Sequence, residues 1–83
     1  MITMASLEFT VIKDSPLVGM TFKEAKSKYN VFIFSFRSHK DTGLIMAEND
    51  IKIKEKFVIT ACGNPSGVYN IFRDATGYYE IDA

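Results

Sequence analysis

The chain has 83 residues, 47% of them hydrophobic and 24% charged, which is the composition of one small globular domain and not of a disordered chain. Ten basic residues balance ten acidic ones, so the chain lacks the basic field that nucleic acids or an anionic membrane surface require. A single Cys and a single His exclude an internal disulfide, cysteine-based zinc sites and multi-histidine metal sites. A net charge of zero does little to prevent self-association.

The start of the chain shows no secretory signal, and no apolar run reaches the roughly 18–20 residues of a membrane-spanning helix. We therefore expect a cytoplasmic protein. Residues 1–6 carry two methionines before the first patterned stretch, so they are expected to be a non-native leader or a disordered start. Residues 7–83 are then expected to form a single domain.

The first patterned stretch, residues 7–13, alternates between apolar and polar side chains, as in a strand with one buried face. Its apolar positions are Leu7, Phe9 and Val11. Residues 14–19 contain Pro16 and Gly19 and are expected to form a turn.

A short helix is predicted from Thr21 to Tyr29. Thr21 suits the N-cap, and Glu24 three residues later completes a capping box. The apolar positions on one face of this helix are Phe22, Ala25 and Tyr29. Asn30 suits the left-handed conformation that ends many helices.

The strongest strand pattern runs from Val31 to Arg37, where β-branched and aromatic residues dominate. With strict alternation, one face carries Phe32, Phe34 and Phe36. The other face carries Val31, Ile33, Ser35 and Arg37. Because both faces are largely apolar, we expect this strand to be central in the sheet or covered by a second copy of the chain.

Short strands are predicted in the second half of the chain. A polar loop at 38–43 leads to an apolar piece at 44–46, and alternating residues follow at 51–54. A stronger strand is predicted at 57–62, after a tight turn at Glu55 and Lys56.

A second helix is predicted to begin after this strand, with Asn64 as its cap and Pro65 at its first position. Gly67 is expected to weaken this helix by about 1 kcal/mol relative to Ala. Tyr78–Ile81 is expected to be a last edge strand or an ordered tail. The order of these elements predicts an α+β fold with a small, largely antiparallel sheet and two short helices.

No set of residues suggests catalysis, so we expect no enzyme, no cofactor and no metal. The glycine-rich residues 63–67 lack the lysine and the spacing of a P-loop, and helix capping explains them better than a phosphate site. Cys62 is expected to be a small buried hydrophobic residue.

A ligand, if one binds, is expected near Arg37, one of only two arginines in the chain. A guanidinium group at a strand end can bind a phosphate or carboxylate through two hydrogen bonds, and apolar residues can supply walls for a planar ring. The expected contact residues, at an interface between two protomers, are Arg37, His39, Leu44, Ile45 and Met46. The alternative is a surface salt bridge at Arg37 and a solvated loop histidine at His39.

Three segments together resemble the C-terminal lobe of RCK domains, also called the TrkA-C domain. They are Ser-Pro-Leu-Val-Gly at 15–19, Thr-Phe-Lys-Glu-Ala at 21–25, and the strand from Asn30 that ends in Arg37. The resemblance extends over about residues 7–72. It departs from the family where Glu55 and Lys56 replace a Gly-Asp turn, and near Ala47, where the family often has a proline.

The resemblance implies a cytoplasmic regulatory domain of a potassium channel or another ion-transport protein, present in the same polypeptide or in a partner subunit. Such domains usually dimerise, some bind cyclic di-AMP or a metal ion between protomers, and many have no known ligand. The resemblance thus implies a homodimer and, for a nucleotide ligand, the same Arg37 and 44–46 region. The alternatives are a purely structural dimerisation module and, from a different class, a small enzyme, which the missing acid–base residues disfavour.

Overall fold

The computed structural model describes residues 3–39 and 43–78. The elements are β1 (Ala5–Thr10), α1 (Phe22–Tyr29), β2 (Val31–Phe32), β3 (Ser35–Arg37), β4 (Ile45–Met46), β5 (Val58–Gly63) and α2 (Pro65–Thr76). Every strand pairing in the described residues is antiparallel. β5 is central, with β1 on one side and both β2 and β3 on the other, and β4 pairs with β3. The predicted α+β fold with a small antiparallel sheet is confirmed.

β1 begins earlier than the sequence pattern indicated. Ala5 and Ser6 are part of the strand and pair with Gly63 and Cys62 of β5. These two residues, expected to precede the domain, are therefore part of its sheet. At the other end of the chain, residues 79–81 of the expected last strand lie outside the described residues, and Tyr78 is exposed after α2.

The strand predicted from Val31 to Arg37 is interrupted by a β-bulge. Val31 pairs with Gly63 and Phe36 pairs with Ile59, so five steps along this strand face four steps along β5. One extra residue at a bulge reverses the faces of the residues that follow it. The predicted grouping of Phe36 with Phe32, and of Arg37 with Val31, is therefore wrong.

Both helices pack on one face of the sheet, where the aromatic side chains of the core lie. The Phe22 ring of α1 lies 5.0 Å from the Phe36 ring of β3, and Phe36 lies 4.5 Å from Phe57. On the other side of β5, the ring of Phe9 meets that of Phe72 in α2 edge-on at 6.2 Å. The bulge is thus what brings Phe36 into contact with α1.

The capping box of α1 forms as predicted. Thr21 Oγ1 accepts a hydrogen bond from the Glu24 backbone N–H at 3.2 Å, and Glu24 Oε1 accepts one from the Thr21 N–H at 2.9 Å. The hydrogen bonds from the backbone and side chain of Thr21 lower the pKa of the Glu24 carboxyl group below its ordinary 4.5. Asn30 ends the helix in the left-handed conformation.

Residues 51–54, predicted as a strand, form only one isolated bridge, between Thr21 and Lys52. This segment instead runs past the beginning of α1, where the Ile51 carbonyl accepts from the Phe22 N–H at 3.0 Å. Ile53 also exchanges backbone hydrogen bonds with Gly19 and Met20. The alternation in the sequence therefore reflects the burial of the Ile53 side chain in the core, and not a strand.

Gly67 allows α2 to contact the end of α1. A Cβ atom at this position would lie 2.3 Å from the Tyr29 carbonyl oxygen and 3.2 Å from Val31 Cγ1. At the far end of α2, the Tyr29 hydroxyl donates to the Asp74 carboxylate. The buried Ser15 hydroxyl donates to the Asp74 carbonyl at 2.7 Å, which ties the 14–19 turn to α2. Gly67 is therefore required by packing, although it lowers helix propensity.

Substitutions at Phe22 and Thr21 test the packing and the capping of α1. Phe22→Ala should lower the free energy of unfolding by ~3–5 kcal/mol, because the ring is fully buried. Thr21→Ala should cost about 1 kcal/mol through loss of the cap. Denaturant titration measures both, with the exposed Lys23→Ala as the control. If Phe22→Ala is as mild as Lys23→Ala, the position of α1 is wrong.

Gly67→Ala should also destabilise the protein, by at least ~2 kcal/mol, because the added methyl group overlaps a backbone carbonyl that cannot rotate away. Ser66→Ala is the matched control, since Ser66 is exposed in the same turn of α2. Thermal and denaturant unfolding measure the difference. A Gly67→Ala protein that is more stable, as helix propensity alone predicts, would contradict the close approach of the helices.

Candidate functional site

One face of the sheet is left uncovered by the two helices of the described residues. We call it the open face, and its exposed or half-exposed residues include Glu8, Phe32, Phe34, Arg37, Met46, Thr60 and Cys62. Phe34 is 71% exposed and Phe32 is 56% exposed, and their rings are parallel at 6.1 Å. Because the two rings lie side by side, they form an exposed apolar patch on this face.

Arg37 lies on the open face, because the bulge places it on the side opposite to Phe36. Its Nη2 atom donates to Glu8 Oε2 of β1 at 3.1 Å. The Arg37 side chain is 26% exposed, and that of Glu8 is 55% exposed. Arg37, which is expected to bind an anionic ligand, thus already forms a salt bridge. A surface salt bridge is the alternative that the sequence leaves open for this residue.

The other expected contact residues surround Arg37 only in part. Met46 pairs with Ser35 and shares the open face, whereas Ile45 pairs with Phe36 and points to the core side of the same edge. Leu44 is 73% exposed next to them. His39 is exposed two residues beyond Arg37. Residues 40–42 of the intervening loop lie outside the described residues.

The described residues do not enclose a cavity around this site or elsewhere. Within them, His, Cys and carboxylate side chains do not form a group of three that could hold a metal ion. Neither described helix has the length and apolar character needed to cross a membrane. A ligand at Arg37 would therefore contact a flat surface, unless a second chain supplied the opposite wall.

Two features of this site are not evident from the sequence. Glu8 gave no signal, because its contact with Arg37 depends on the order of the strands and on their register. Cys62 was expected to be buried, yet it is only half-buried, on the open face, with its thiol 3.8 Å from the Phe32 carbonyl. Cys62 is only partly covered because neither described helix packs on that side of the sheet.

Comparison with known proteins agrees with this fold. The family model of the TrkA-C domain matches residues 7–74, most of the chain. A solved structure described as the crystal structure of the GsuK RCK domain superimposes with a TM-score of 0.68 at 15% sequence identity. The match covers 93% of this chain and 17% of that one, so this chain spans a small part of its length. No curated protein sequence matches this one. On the strength of the family match, the chain belongs to the TrkA-C domain family.

Proposed function

We propose that this chain is a cytoplasmic regulatory domain of a potassium channel or another ion-transport protein, which lies in the same polypeptide or in a partner subunit. The observation that carries the proposal is the TrkA-C match over residues 7–74. The open face supports it, because a domain that transmits a signal needs a surface with which to meet another chain.

The open face is the surface through which we expect two copies to form a homodimer. Phe32, Phe34 and Met46 are exposed there, and their burial would remove apolar surface from water in both protomers. In a two-fold dimer, the same patch of each protomer lies at the interface. The apolar patch on the open face can therefore pack against its own copy. A net charge of zero opposes this association very little.

The expected ligand is a small anion such as a cyclic dinucleotide, held between protomers by Arg37, with Leu44 and Met46 beside it. The position of Arg37 supports this proposal, because it is the one arginine on the open face among the described residues. A ligand regulates only if it binds two arrangements of the dimer with different affinities. The second candidate is a structural dimerisation module without a ligand, favoured by the flat, cavity-free surface around Arg37.

Dimerisation can be measured by analytical ultracentrifugation at tens of micromolar protein. We expect the wild type to sediment as a dimer and Phe34→Lys as a monomer, because the substitution places a charge in the apolar contact. Val18→Lys is the matched control: Val18 is 41% exposed but lies in the turn before α1, outside the sheet. A wild-type protein that remains monomeric throughout would contradict the proposal.

Ligand binding can be measured by calorimetric titration with cyclic di-AMP and with ATP. We expect the wild type to bind at least one of them and Arg37→Ala to bind at least ~10-fold more weakly, since a bidentate charged contact is lost. Lys54→Ala removes the same charge from an exposed position and should bind normally. Unchanged binding by Arg37→Ala would place the site elsewhere, and no binding by the wild type would favour the structural module.

A further inference from the structure

The salt bridge between Glu8 and Arg37 draws the Arg37 side chain towards one side of its strand. In the sheet, β1 and β4 lie on opposite sides of β3, the strand that carries Arg37. Glu8 pairs with Thr60, and Arg37 pairs with Val58, two residues away on the same face of β5. The 3.1 Å contact therefore crosses the open face diagonally, over the central strand.

The contact with Glu8 holds the Arg37 guanidinium away from the apolar residues that are expected to contact the same ligand. The guanidinium group is drawn over β5 towards β1, whereas Met46 lies on β4, on the other side of Arg37. An anion that takes hydrogen bonds from Nη2 and a neighbouring donor of the guanidinium has to displace Glu8 from Nη2. The Glu8 carboxylate would then remain on the same face, where it repels the bound anion.

We propose that Glu8 sets the anion affinity of the open face by competing with the ligand for Arg37. The inference rests on the proposed function, in that it assumes an anion site at Arg37. The contact suits a competitor, since Glu8 is 55% exposed and an exposed ion pair opens at little cost. A carboxylate buried against Arg37 would block the site permanently, whereas this one yields to an anion that makes two hydrogen bonds to the guanidinium.

Glu8→Gln tests the proposal, because it removes the charge and keeps the size of the side chain. We expect Glu8→Gln to bind cyclic di-AMP or ATP ~3- to 10-fold more tightly than the wild type in low-salt calorimetry, from the lost ion pair and the lost repulsion. The gain should disappear in the double variant Glu8→Gln with Arg37→Ala. Asp50→Asn is the matched control, an equal charge change at an exposed turn near α1, and should change affinity very little.

The possible outcomes separate this inference from the proposed function. Tighter binding by Glu8→Gln than by the wild type, with no change in Asp50→Asn, supports competition. Binding that needs Arg37 but is unchanged or weakened in Glu8→Gln overturns the competition and leaves the ligand site in place. If neither wild type nor Glu8→Gln binds either nucleotide, the competition and the ligand site both fail, while the structural module remains. An amide correlation spectrum of each variant verifies that it is folded.

Discussion

A single extra residue in the strand next to β5 determines what this domain presents to its surroundings. Without the bulge between Val31 and Phe36, Phe36 would lie on the open face and Arg37 would point into the helix-covered core. With it, Phe36 is 4% exposed beside Phe22 and Phe57, and Arg37 shares a face with Phe32 and Phe34. The core and the candidate site therefore depend on the same change of register, and neither can be altered without the other.

The helices make the sheet one-sided. α2 packs against the end of α1 at Gly67, where no side chain fits, and hydrogen bonds from Tyr29 and Ser15 hold Asp74 near its other end. Both helices are thereby committed to one face of the sheet, and the chain has no further described helix to cover the other.

Local chemistry made most of the elements predictable. Thr21, Glu24 and Asn30 define both ends of α1, and Asn64 with Pro65 defines the start of α2, because capping depends on neighbouring residues alone. The bulge and the Glu8–Arg37 contact were not predictable, since each depends on how β1 and β3 align with β5 across long stretches of sequence. For the same reason, the sequence named Arg37 as a candidate but could not name the carboxylate that holds it.

We propose above that this domain meets a second chain through the open face. Cys62 reports on it directly, because it is the only thiol and lies on that face between Ser6 and Phe32. The measurement is the rate at which a small maleimide labels Cys62 as the protein concentration is raised from low micromolar to hundreds of micromolar. We expect the labelling rate to fall several-fold as a second copy covers the face. A rate that is the same at every concentration would contradict it.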